Sequence, residues 1–181
     1  MTGLNKILVP TDLSETSRQG LIYGCRLAAE EQAHLIVLHV VNELEAWKFY
    51  SEDFGFADFP GKSWPIDRVL SEAMLDLNRF LEPHLETMKR IPSAAKRALL
   101  GPVAQRIATA ADDEKADLII MSPRRHRGLR HWFTGGITDR VTRLSPCPVL
   151  LVTPPLSSRI WRRKLIWSLL GCPPQSAAEI P

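Results

Sequence analysis

Six arginines and two histidines lie between residues 122 and 143, around the glycine pair Gly135 and Gly136. Guanidinium groups donate charge-assisted hydrogen bonds to phosphates, and glycine lets a backbone N–H group approach an anion closely. The segment carries a net charge of +5, whereas residues 1–121 carry −5. This pattern predicts either a solvated charged face or an anion-binding surface. Its first candidate donors are Arg124, Arg125 and Arg127.

The residue types required for catalysis do not stand at catalytic spacing in this chain. His126 and His131 have no carboxylate at a spacing that would orient an imidazole for acid–base work or metal binding. The three cysteines are far apart and lack a CxxC spacing, so they predict neither a disulfide framework nor a zinc site. We therefore expect a protein that is not an enzyme, holds no metal and occupies a reducing compartment.

Apolar runs alternate with helical patterns along the chain, and these elements must position the arginine-rich segment. Helices are predicted after Ser14, across 64–88 with a break near Pro83, and at 102–114 and 136–144. Such alternation favours a doubly wound α/β fold, in which helices cover both faces of one parallel five-stranded sheet. The strands are predicted at 6–10, 34–41, 93–100, 117–121 and 147–152.

Sheets of this class bind ligands beyond the carboxyl ends of their strands, where the strand order reverses. The ends of strands one, two and four read VPTD (9–12), LHVV (38–41) and MSPRRHRG (121–128). The arginine-rich segment thus follows directly on the fourth strand, at the edge where a ligand is expected. His39 alternates with apolar residues in the second strand, which predicts a hydrogen-bonded position in the core.

These strand ends resemble those of the universal stress protein (UspA-like) family. The resemblance covers residues 4–153, most of the chain. It implies a single flavodoxin- or Rossmann-like domain over 1–153, similar to the adenine nucleotide alpha hydrolases, with frequent homodimers and with one branch that binds ATP and one that does not. The similar blocks are VPTDLSETS (9–17), LHVV (38–41), GPVAQRIATAADDEKADLIIM (101–121) and GG..DRV..LSPCPVLLV (135–152).

The resemblance also assigns nucleotide-contacting positions. In the ATP-binding branch the loop after strand four follows the pattern G-x2-G-x9-G-[S/T], whose glycines admit phosphate oxygens to the backbone. Ser122 and Arg125 occupy the first two glycine positions, and Gly136 replaces the hydroxyl residue. We therefore expect ATP to bind weakly or not at all. The positions carried over for a nucleotide are Pro10, Thr11, Asp12, Val40, Met121, Gly135 and Gly136.

Three functions remain open from the sequence. The first is a non-enzymatic stress-response regulator with a degenerate ATP-binding loop. The second is an ATP-binding regulatory protein, for which slow ATP hydrolysis is left open. The third is an adaptor whose basic C-terminal quarter holds a polyanion or an anionic membrane surface, without a specific nucleic-acid motif. Asp12 has two readings of its own, as a ribose contact or as the organiser of the strand-to-helix turn.

Residues 154–181 lie beyond the resemblance and form a basic extension that contains Trp161 and Trp167. Its apolar residues scatter around a helical wheel, so we favour docking on protein over docking on an anionic membrane. The N-terminus lacks a signal-peptide pattern, and no run of about 18 apolar residues occurs, so we expect a cytoplasmic protein. We also expect a homodimer through strand 147–152, because an apolar edge strand is a pairing template.

Overall fold

One parallel sheet carries the fold in the computed structural model, which describes residues 3–42, 46, 66–123 and 136–153. The strands are β1 Lys6–Thr11, β2 His34–Val41, β3 Ser93–Leu100, β4 Leu118–Met121 and β5 Val149–Leu151. Their order in the sheet is β3-β2-β1-β4-β5, and every neighbouring pair is parallel. The doubly wound α/β class that the alternating pattern predicts is therefore confirmed.

The strand order reverses between β1 and β4. On one side of β1, Lys6 lies opposite His34 of β2, and on the other side Ile7 lies opposite Leu118 of β4. The chain builds β2 and β3 outward in one direction, then returns to build β4 and β5 in the other. In this class of sheet the reversal creates a crevice beyond the carboxyl ends of the two central strands. Within the described sheet, β3 and β5 are the edge strands.

Helices connect the strands and cover both faces of the sheet. They are α1 Glu15–Glu30, α2 Ile66–Leu81, α3 Leu85–Met88, α4 Val103–Asp113 and α5 Ile137–Leu144. Ser14 caps α1, and its side-chain oxygen accepts a hydrogen bond from the Ser17 N–H at 3.2 Å. A 3-10 turn, Glu82–His84, separates α2 from α3, which confirms the predicted break near Pro83. Among the described residues, no helix is long and apolar enough to cross a membrane.

The alternation of side chains along the strands divides the core into two layers. On one face Ile7 and Val9 pack with Leu21 and Cys25 of α1 and with Leu77 of α2. Burial raises the pKa of the Cys25 thiol to about 11, so this cysteine is unreactive at neutral pH. On the other face the sheet packs against α4 and α5, through a cluster that includes Leu8, Ile36, Leu38, Ala104, Ile107 and Val141.

Gly24 brings α1 close to β1 in the first layer. A β-carbon built at Gly24 would lie 2.6 Å from Cγ2 of Val9, a buried side chain whose branched shape leaves it little freedom to move. Overpacking of this kind costs about 1–3 kcal/mol, and alanine recovers about 1 kcal/mol of helix propensity. We therefore expect Gly24→Ala to lower the free energy of unfolding by about 1 kcal/mol in urea titrations. In a Val9→Ala background this decrease in the free energy of unfolding should disappear. An equal decrease in both backgrounds would contradict a clash between the new β-carbon and Val9.

Candidate functional site

The candidate site lies where β1, β2 and β4 reach the same edge of the sheet. β1 ends at Thr11 and β4 at Met121, and Thr11 is in register with His39 of β2. Parallel strands place their carboxyl ends together, so the described strand-end positions from the sequence prediction share this edge. The predicted residues Gly135, Arg124, Arg125 and Arg127, and the extension 154–181, lie outside the described residues.

The Thr11 hydroxyl is committed to the turn that leads from β1 into α1. It accepts a hydrogen bond from the Leu13 N–H at 3.0 Å and lies 2.8 Å from Oγ of Ser17. Because the Ser17 hydroxyl donates to the Ser14 carbonyl at 2.8 Å, the proton between the two hydroxyls belongs to Thr11. Thr11 and Ser17 are both only 6% exposed. The Thr11 side chain therefore holds the turn together.

Asp12 organises the same turn. Its Oδ1 accepts hydrogen bonds from both the backbone N–H and the hydroxyl of Ser14, the N–H at 3.0 Å. Ser14 in turn caps α1, so the carboxylate fixes the first turn of the helix. Of the two readings of Asp12, the turn-organising role is thus confirmed, and the ribose contact stays a prediction.

Leu13 sits between these residues in a left-handed conformation, with φ of 61°. Such a conformation costs an ordinary residue about 1–2 kcal/mol. The hydrogen bonds from the Leu13 N–H to Thr11 and from the Ser14 N–H to Asp12 hold the backbone there. The strand-to-helix turn is therefore pre-organised at the edge where a ligand would bind.

His39 lies at this edge, and its predicted place in the core is wrong. The side chain is half-buried, and Nδ1 lies 2.9 Å from the carbonyl oxygen of Thr11. A carbonyl only accepts, so Nδ1 carries the proton and Nε2 is the acceptor of the neutral ring. The residue is hydrogen-bonded as predicted, but the end of the strand leaves it partly open to solvent. The next residue, Val40, is 7% exposed and packs in the layer under α4 and α5.

Ser122 follows β4 at the position of the first loop glycine. Its Oγ is buried and has no hydrogen-bond partner among the described residues. A β-carbon built at Gly20 of α1 would lie 3.2 Å from this Oγ and 3.3 Å from the Ser122 nitrogen. Gly20 therefore makes room for a side chain at Ser122. Sequence reasoning missed Gly20, although an isolated glycine inside a helix is a sign of close packing.

Gly136 caps α5, the helix that follows the arginine-rich segment. Its backbone is extended, with φ of −80° and ψ of 172°, and it supplies no side-chain hydrogen bond to the helix. A β-carbon at Gly136 would meet nothing within 4 Å of the described atoms. Any residue fits this conformation, so the glycine is not required by the backbone. Within the described part of the chain, no cluster of His, Cys, Asp and Glu side chains could hold a metal ion.

Comparison with known proteins shows the family of the chain. The family model described as "Universal stress protein family" matches residues 3–50 and 65–153. Universal stress protein YxiE of Bacillus subtilis is 32% identical over 149 residues, which cover 82% of this chain and 98% of that protein. Universal stress protein MJ0577 of Methanocaldococcus jannaschii is 29% identical over 154 residues, covering 81% of this chain and 93% of that protein.

Solved structures share the fold. The structure of MJ0577 superposes with a TM-score of 0.64 at 24% identity, covering 86% of this chain and 100% of that one. A universal stress protein from Archaeoglobus fulgidus, solved in complex with dAMP, has a TM-score of 0.54 at 15% identity, covering 84% and 100% of the two chains. A universal stress protein in complex with cAMP has a TM-score of 0.52 at 21% identity, covering 84% and 98%. With the family match and the relatives above, the chain belongs to the universal stress protein family.

Proposed function

We propose that this chain is a non-enzymatic, cytoplasmic regulator in stress responses, which holds the adenosine part of a nucleotide weakly and lacks the family's triphosphate cradle. The observation that carries this proposal is Ser122. A half-buried serine with a buried Oγ stands where the ATP-binding pattern has its first glycine, and Gly20 of α1 makes room for it. The Ser122 side chain packs where β4 meets α1, and this supports a site without the glycine geometry at this position.

The adenosine half of the site is supported by the strand ends. The turn after β1 is pre-organised by Thr11 and Asp12, and Val40 lies near the end of β2 at the same edge of the sheet. Relatives of the same fold have been solved with cAMP and with dAMP, ligands that carry a single phosphate. We therefore propose an adenine nucleotide as the ligand class, with most of the binding free energy coming from the adenosine part.

The hydroxyls of the turn after β1 and the Cys25 thiol of α1 support a role without catalysis. The Thr11 and Ser17 hydroxyls are both engaged in the hydrogen bonds of the turn. The Cys25 thiol lies in the core with its pKa raised to about 11. A nucleophile needs an adjacent base that activates it, and each of these groups is instead held in a structural contact or buried.

Calorimetric titration with ATP, AMP and cAMP tests the proposal. We expect ATP to bind with a dissociation constant weaker than about 100 µM, and AMP to bind within about threefold of ATP, because the outer phosphates gain little from the altered loop. Low-micromolar ATP affinity would overturn the proposal and favour the ATP-binding regulatory alternative. Asp12→Ala should abolish the remaining binding. Ser14→Ala is the matched control, because it removes the hydroxyl bond to Asp12 and the Ser14 cap of α1, and it leaves the carboxylate in place with its bond from the Ser14 N–H.

Salt dependence separates a nucleotide site from a general anion surface. Binding through surface arginines falls steeply between about 50 and about 200 mM salt and does not depend on the base. The adaptor alternative therefore predicts salt-sensitive binding of short single-stranded DNA and anionic vesicles. It also predicts the loss of that binding when Arg124, Arg125 and Arg127 are replaced by alanine. A nucleotide site predicts that adenine nucleotides bind the triple-alanine variant about as well as the parent.

A further inference from the structure

An arginine of α1 is bonded to the junction between α2 and α3. Nη1 of Arg18 lies 3.0 Å from Nε2 of His84 and 3.4 Å from the carbonyl oxygen of Phe80. The guanidinium group also stacks over the Phe80 ring, with its carbon 4.6 Å from the ring centre. Glu15, one turn earlier in α1, accepts a hydrogen bond from Nε of Arg18 at 2.8 Å. The guanidinium is thus fixed from three directions.

The break in the helix positions His84 for this contact. Pro83 lies at the start of the 3-10 turn that ends α2, and His84 has φ of −110° and ψ of 0°, outside the helical range. The histidine therefore leaves the helical path at the point where α1 passes. Its ring is half-buried, and the Arg18 side chain is 24% exposed. The contact is partly shielded from solvent, so it is weakened less by water and salt than a surface pair.

The hydrogen bond requires one protonation state of His84. A guanidinium group only donates, so Nε2 of His84 must be the unprotonated acceptor, and the proton of the neutral ring is on Nδ1. When Nε2 takes up a proton from solvent, the acceptor is lost and two cations face one another. The neighbouring charges are Glu15 beside Arg18 on α1, and Glu86 on α3, which is paired with Lys89.

We propose that Arg18 and His84 form a proton-sensitive latch, which holds the first turns of α1 against the α2–α3 junction at neutral pH and opens on acidification. The latch is connected to the candidate site through α1. Arg18 directly follows Ser17, whose Oγ is hydrogen-bonded to Thr11 at the end of β1. Opening the latch therefore removes one of the contacts that hold the helix end next to the strand-to-helix turn.

The electrostatics of His84 agree with this geometry. Burial lowers the pKa of His84 from its ordinary value of 6.5, the positive charge of Arg18 lowers it further, and Glu15 acts in the opposite direction. Because the pKa is lower in the folded protein than in the unfolded chain, the unfolded chain binds more protons at mildly acidic pH. The stability from the latch is complete above pH 6.5 and is lost as the pH falls below that value towards the pKa of the folded state.

The latch is tested with the full chain and the variants His84→Gln and Arg18→Met. Glutamine offers an amide oxygen to Arg18 at every pH, so His84→Gln removes the titration and keeps the acceptor. We expect the urea midpoint of the parent to fall relative to that of His84→Gln as the pH drops from about 7 to about 5. A constant difference across this range would overturn the latch. His34→Gln, which removes a histidine at the start of β2, is the control and should follow the parent.

A titration by NMR gives an independent result. The His84 ring should titrate below pH 6.5 in the parent, and its pKa should rise in Arg18→Met, because the methionine keeps the apolar stem and removes the charge. A purely structural role of the contact would leave the pKa of His84 unchanged in Arg18→Met, and that result would overturn the proposal. If Arg18→Met does not fold, Arg18→Gln replaces it, since glutamine also removes the charge.

Discussion

ATP affinity should rise about tenfold or more when Ser122→Gly, Arg125→Gly and Gly136→Ser are combined, which corresponds to about 1.4 kcal/mol or more of binding free energy. The three changes restore the loop pattern of the ATP-binding branch at the positions where this chain departs from it. Calorimetric titration of the parent and the triple variant measures the effect. We expect AMP affinity to change by less than about threefold, because AMP does not extend to the region of the outer phosphates.

Two of the three positions are described by the structure, and both accept the change. Ser122→Gly removes a buried hydroxyl that has no partner among the described residues, so the substitution also removes a desolvation cost. Gly136 has an extended backbone with open space around its β-carbon position, so a serine fits without strain. A serine there can also cap α5, which now lacks a side-chain cap. Arg125 lies outside the described residues, and its role rests on the sequence pattern.

A variant with alanine at positions 122, 125 and 136 is the matched control for the restored loop. Ser122→Ala and Arg125→Ala shorten the same two side chains and Gly136→Ala adds only a methyl group, so this variant restores neither glycine freedom nor the hydroxyl donor. If the loop needs glycines so that backbone N–H groups reach the phosphates, the alanine variant stays as weak as the parent. An equal gain of ATP affinity in both triple variants would show that side-chain bulk alone excludes the phosphates. No gain in either variant would mean that another part of the site prevents binding.

The strands β1, β2, β4 and β5 were predictable because their apolar runs are bounded by polar or turn residues, and β3 was predicted from its position in the alternation. The predicted ranges of β2 and β3 agree with the structure, including β3, whose alanines have little strand propensity. Pairing with β2 along its full length decides the conformation of β3. β5 is shorter than predicted and begins at Val149, because Pro148 cannot donate a hydrogen bond to a strand ladder.

The candidate site was predictable in its location and less so in its contacts. The strand-end rule places Thr11, Asp12 and Val40 at one edge, and the structure agrees. The side-chain partners depend on packing between elements that are distant in sequence. Ser122 meets Gly20 across the layer between β4 and α1, and Arg18 meets His84 from 66 residues away. No local pattern signals such pairs, since they depend on how α1 lies over the sheet.

The structure gives the homodimer prediction a defined surface. β5 pairs with β4 alone among the described strands, and the β5 residues are half-buried. Ile119 donates to the Pro148 carbonyl and Val152 donates to the Met121 carbonyl, so Pro148 and Val152 direct their backbone groups towards β4. Backbone groups alternate in direction along a strand, so Val149 and Leu151 direct theirs outward. We propose that this outer edge pairs with β5 of a second copy.

Loss of the dimer is therefore expected on Leu150→Lys. Light scattering at a concentration on the order of tens of micromolar should give about twice the 20.4 kDa chain mass for the parent and the single-chain mass for the variant, because a buried lysine opposes close pairing. A monomeric parent would contradict the dimer. Leu150 also packs against the core, so Leu151→Pro is a second variant, which removes an outward N–H and leaves the β4 ladder intact. If both variants fold by circular dichroism and remain dimeric, β5 is not the contact, and the pairing surface must be sought at another face of the subunit.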